Sequence, residues 1–139
     1  MADSVRDRKL FREMQQQARA LIARTLALIR EVETTLTAKM QLLRKFPEIK
    51  VFEMKDNLRK TRKMLGTLDR RHQLTSSSLF LKHADEKLLN KLARANLKLG
   101  ADVYKLVVKL KKQSDEFQAY AQKLMTEAKQ KKTRGRSDG

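Results

Sequence analysis

Apolar positions recur at spacings of three and four from Leu89 to Leu124: Leu89, Leu92, Asn96, Leu99, Val103, Leu106, Leu110, Gln113, Phe117, Tyr120 and Leu124. Two amides, Asn96 and Gln113, stand where the other positions are apolar or aromatic. A heptad seam of this kind marks a helix that packs on other helices. A second row runs beside it, Ala93, Gly100, Val107, Ser114, Ala121 and Ala128, and most of its members are small. Small side chains let helix axes come close. The segment is therefore predicted to touch more than one neighbour.

Upstream, Phe11, Met14, Ala18, Leu21, Ile22, Leu28, Ile29, Val32, Leu36, Met40 and Leu43 form a wider stripe that drifts sideways. It predicts a first helix over about 4–45, with Ser4 and Asp7 as a capping box at its start. Phe46-Pro47 ends it, because proline disfavours helical geometry in the residue before it and suits the first position of a new helix. A regular seam follows: Val51, Met54, Leu58, Thr61, Leu65, Leu68 and His72. It predicts a second helix over about 47–74. Thr75-Ser76-Ser77-Ser78 is the one interior cluster of poor helix formers, and the heptad frame changes across it. A break there is predicted. The third helix is expected over about 79–131. At 1.5 Å per residue the three helices would be about 60, 40 and 80 Å long. Such unequal lengths leave part of the third helix for other chains to cover.

Composition adds the fold class. One proline and four glycines in 139 residues leave few turns, and the abundant Leu, Lys, Arg, Ala, Glu and Gln are strong helix formers. Only 5% of residues are aromatic. The expectation is an all-α chain: an elongated helical bundle or coiled coil of three long helices. A single domain is expected over 1–131, followed by a disordered basic tail over 132–139. There are no cysteines, which removes disulfides and thiolate metal sites and fits a reducing, intracellular setting. The first residues carry acids and no apolar core, unlike a secretory signal, and no run is apolar enough to span a membrane.

Charge widens the range of partners. The formal net charge is +17, spread as +5, +4, +4 and +4 over residues 1–45, 46–74, 75–128 and 129–139. A field of this sign attracts polyanions. Lys91, Lys98, Lys105 and Lys112 form a heptad-spaced row off the seam, and Arg59, Lys60, Arg62 and Lys63 form a second group. The tail adds Lys129, Lys131, Lys132, Arg134 and Arg136. These are the candidate polyanion-binding residues. A solvated lysine face accounts for the same spacing. No aromatic residues are interleaved, so base stacking is not expected.

Chemistry finds no foothold. The two histidines, His72 and His83, have no metal-ligand spacing, and there is no phosphate-binding glycine loop or nucleophile motif. Asp85-Glu86 and Asp115-Glu116 are sequence neighbours whose side chains diverge by about 100° on a helix. The chain is expected to be a non-enzyme without cofactor, a long rod lacking pockets.

The sequence thus predicts a structural subunit that zips onto helices of partner subunits. Its interface would comprise Val51, Met54, Leu58, Leu65, Leu68, Leu92, Asn96, Leu99, Val103, Leu106, Leu110, Phe117, Tyr120 and Leu124. Hetero-assembly is favoured over a homodimer, since two copies would bring two charges of +17 together. The alternatives are a non-specific binder of nucleic-acid backbone and an adaptor for acidic membrane or cytoskeletal surfaces.

Overall fold

In a computed structural model, the backbone is described for residues 2–137 and the side chains for residues 9–132. The described chain is all-α, without strands, and has five helices. Three are long: α1 (Ala2–Ala38), α3 (Glu48–Thr75) and α5 (Glu86–Ser137). Two are short: α2 (Met40–Leu43) and α4 (Ser78–His83).

Each boundary has a local cause. The predicted first helix is interrupted at Lys39, whose φ of −114° and ψ of 32° leave helical geometry. Hydrogen bonds from Lys39 N to Thr35 O and from Leu43 N to Lys39 O carry the helical spacing across the kink. The helix then tightens, with Phe46 N donating to Leu43 O three residues back. Pro47 is not the first helical residue but the cap before it, with an extended ψ of 126°. Its carbonyl accepts from Lys50 N and Val51 N, and Glu48 lies in the first turn, where a negative charge meets the positive helix end.

The break at 75–78 is real. Ser77 caps α4, its hydroxyl accepting from Phe80 N at 3.1 Å. A second break, absent from the sequence reading, follows at Ala84, which is extended with ψ 131°. Asp85 then caps α5, its carboxylate accepting from Leu88 N at 2.8 Å. The third helix therefore starts at Glu86 instead of 79. At the other end the helical backbone runs on to Ser137, through the stretch from 132 expected to be disordered. Lys, Gln and Arg are good helix formers, and cations near a helix C-terminus meet its negative end.

The three long helices touch one another pairwise. Phe11 meets Leu89 and Ala93, Leu21 meets Gly100, and Val32 shares a cluster with Leu110 and Phe117, so α1 and α5 run parallel. Lys50 pairs with Glu116, while Asn57 reaches Leu106 and Gln113, so α3 runs antiparallel to both. Val103, Leu110 and Phe117 on the heptad ridge of α5 are buried between α1 and α3, while Leu89 is buried in a cluster with Phe11 of α1, against which Phe80 of α4 packs. Ala93, Ser114 and Ala121 on the small flank are buried with it.

The lower end of this core is closed by the Pro47 corner. Phe46 stacks edge-on to Phe117, with ring centroids 5.4 Å apart, and the Tyr120 hydroxyl donates to Lys45 O at 2.9 Å. Among the described residues of α5 beyond Ala121 no side chain is fully buried, so this part of the helix projects past the corner. We predict that Phe117→Ala lowers folding stability by about 3–5 kcal/mol, the range for emptying an aromatic core site. Phe52→Ala, at a side chain 66% exposed, should change it by less than about 0.5 kcal/mol. Urea unfolding followed by circular dichroism measures both.

Candidate interaction surface

The seam residues expected to face partner chains lie largely against the chain's own helices. Met54, Leu65 and Leu68 of α3 are buried with Val103, Leu110 and Phe117 of α5. Val51, Leu58, Leu99 and Tyr120 are partly buried and pack on the same clusters. Leu92, Asn96, Leu106 and Leu124 are also partly buried. A broad apolar stripe has room for two neighbours, and α1 and α3 are those two.

Polar residues sit inside this packing. The Asn57 amide donates to Gln113 Oε1 at 3.0 Å and to Leu106 O at 3.3 Å, and the Thr61 hydroxyl donates to Asn57 O at 2.7 Å. Gln113 thus fixes the register of α5 against α3, within one chain. Asn57 was not on the seam read from the sequence; its neighbour Leu58 was. Asn96 Oδ1 and Thr25 Oγ1 are buried without a hydrogen-bond partner among the described residues.

The basic residues divide into two kinds. Arg59 and Lys60 both bind Asp56, at 2.8 and 3.1 Å, and Arg62 pairs with Glu33 of α1. The hydrogen bond from Arg59, then that from Lys60, holds the Asp56 carboxyl below its usual range. Lys63 joins Lys60, Asp102 and Lys105 along a groove of about 390 Å³ between α3 and α5. Lys91, Lys98, Lys105 and Lys112 are exposed and stand in no ion pair among the described residues. Successive members lie about 10 Å apart along the helix. Lys129, Lys131 and Lys132 are exposed as well, and the Arg134 and Arg136 side chains lie outside the described residues.

A second apolar row on α5 escaped the seam reading. Leu97, Ala101, Tyr104 and Val108 follow a spacing of four, three and four, and all are exposed, Leu97 to 54% and Tyr104 to 60%. The spacing was visible in the sequence but was masked by the longer seam beside it. Leu74, Leu79, Leu81 and Leu88 are exposed around the two breaks that flank α4.

The described chain is not pocketless, contrary to the expectation from sequence. A cleft of about 310 Å³ opens between the start of α1 and the end of α3, lined by Phe11, Arg12, Gln15, Arg19, His72 and Leu81 among others. Gln15 Nε2 donates to Thr75 Oγ1 at 2.6 Å, so its Oε1 faces His72 Nδ1, also at 2.6 Å. The neutral imidazole therefore carries its proton on Nδ1. Burial first, then the nearby Arg19, pushes the His72 pKa down; Asp69 opposes them. Among the described residues, no three His, Asp or Glu side chains are grouped to hold a metal, and no helix is long and apolar enough to cross a membrane. Searches against protein families, curated proteins and solved structures find no match for this chain.

The depressed His72 pKa sets a direction for stability. Between the folded and the ordinary pKa of 6.5 the unfolded chain binds more protons, so stability falls as pH drops below about 6.5 and levels off below the folded pKa. His72→Gln removes that contribution. The stability difference between the wild type and His72→Gln should shift toward the variant between about pH 7.5 and pH 5, measured by urea unfolding at both values. An unchanged difference would show that His72 is not the group responsible.

Proposed function

We propose that this chain is a non-enzymatic helical subunit, an elongated three-helix bundle that docks helices of partner proteins in a hetero-assembly. The observation carrying this reading is the exposed row Leu97, Ala101, Tyr104 and Val108, which remains after α1 and α3 have covered the heptad seam. An apolar stripe at helical spacing on a charged helix has a cost in water that a second helix relieves. The projecting end of α5, with Met125 exposed, adds surface of the same kind. A homodimer is disfavoured by the doubled charge.

Nucleic-acid backbone is the second reading. It is supported by the lysine row, whose members have no carboxylate partner among the described residues, and by a net charge of +17. Such binding weakens steeply with salt, because counterions are released on contact.

The two readings separate in one affinity purification of the tagged full chain at physiological salt, with and without nuclease. We expect protein partners in stoichiometric yield that survive nuclease. Loss of every partner on nuclease treatment would assign the complexes to nucleic acid and overturn the helix-docking reading.

A further inference from the structure

We infer that the face of α5 bordering α1 is the docking site for an acidic amphipathic helix of a partner protein, with its acids confined to one flank. The inference rests on the helix-docking reading and specifies where the partner sits and what chemistry it carries.

Three observations converge on this face. The first is the row itself. Leu97, Ala101, Tyr104 and Val108 span about 16 Å of helix and point about a third of a turn away from Val103 and Leu110. The chain's own helices meet α5 on that buried ridge and leave the row exposed.

The second is an opening along one edge of the row. Leu97 and Ala101, with Asn96 and Gly100, line a cavity of about 200 Å³ whose opposite wall is Ala18 and Leu21 of α1. Gly100 and Ala101 have too little side chain to fill it. Its walls are mainly apolar side chains, so it suits an apolar anchor from a helix lying along the row. Asn96, on the same wall, has a buried Oδ1 without a hydrogen-bond partner among the described residues.

The third is a one-sided charge. Lys98, Lys105 and Lys112 run along the flank of the row away from α1. Two carboxylates of this part of α5 have partners of their own: Glu116 pairs with Lys50, and Asp115 pairs with Lys111. Asp102 lines the α3 groove together with Lys60, Lys63 and Lys105. Lys98, Lys105 and Lys112 stand in no ion pair among the described residues, so the flank, repeating every seven residues, is open to an external anion.

An acidic helix meets all three conditions. Its apolar positions cover the row, one of them fills the cavity, and Glu or Asp at seven-residue intervals face the lysines. A second copy of this chain brings another lysine row and another +17. A phosphate backbone engages the lysines but leaves Leu97, Tyr104 and Val108 uncovered.

The test uses the full chain and two labelled helical peptides that share one apolar stripe. One carries glutamates on a single flank, and the other carries lysines there. Fluorescence anisotropy near physiological salt reads binding. The glutamate peptide should bind at least about tenfold tighter than the lysine peptide. Tyr104→Asp should weaken it by at least about tenfold, as for the loss of an interface aromatic. The triple variant Lys98→Glu, Lys105→Glu, Lys112→Glu should reverse the preference between the peptides. All four substituted residues are exposed, so unchanged thermal melting is expected.

Undiminished binding by Tyr104→Asp, or an unreversed preference in the triple variant, overturns the inference. So does duplex DNA that displaces the peptide and binds Tyr104→Asp as well as wild type. A dimer in sedimentation that Tyr104→Asp dissociates would give the face to a second copy instead. If peptide binding fails while nuclease-resistant protein partners persist, the docking reading stands and its surface lies elsewhere, as at the exposed leucines around α4.

Discussion

The arrangement depends on the burial of one ridge of α5, Val103, Leu110 and Phe117, in the channel between α1 and α3, with Leu89 continuing it against α1 and Phe80 of α4. These are large side chains without polar atoms, and removing them from water is the main favourable term in so thin a core. The flanking small residues let α1 come close on one side: the nearest Leu21 carbon lies 3.5 Å from where a Cβ on Gly100 would stand. On the other side the longer side chains Leu99 and Leu106 lie toward α3, with Gln113 pairing to Asn57. One helix therefore presents two differently shaped flanks to two different neighbours. The Pro47 corner follows from this, since Phe46 seals the ridge by stacking on Phe117.

Much of the backbone was legible in the sequence because periodicity and helix breakers act locally. The seam of α5, the Pro47 corner and the serine break all follow from residues within a few positions of each other. Two breaks were missed. Lys39 interrupts a stretch with no glycine or proline, where no residue type signals a kink. Asp85 did carry a signal, an N-capping residue just before the seam begins at Leu89, but the apolar Leu79, Phe80 and Leu81 made the helix seem to start earlier. The larger difference concerned who covers the seam. A heptad pattern encodes the need for a helical neighbour, and nothing in its period distinguishes a neighbour in the same chain from one in another. The unequal helix lengths pointed to other chains, yet α1 and α3 lie on the ridge at Val103, Leu110 and Phe117, and α1 with Phe80 of α4 covers Leu89.

The surface shows the complementary division. Charges that meet a carboxylate within the chain are partly offset: Arg62 by Glu33, and Arg59 and Lys60 by the one carboxylate of Asp56 that they share. The lysine row of α5 stands in no ion pair among the described residues, and it runs beside an exposed apolar row. Exposed pairs in water contribute little individually. The selectivity of this face would lie in the combination, with apolar burial supplying affinity and the lysines choosing among helices.

The central claim is that the seam of α5 is closed by helices of the same chain. Amide hydrogen exchange on the isolated chain at low concentration, where any oligomer dissociates, tests it most directly. Amides from Leu99 to Ala121 should exchange slowly, with protection close to that of Met54–Leu68 in α3, while those beyond Met125 exchange fast. Rapid exchange along Leu99–Ala121 in the monomer, with protection appearing only as concentration rises or a partner is added, would contradict it.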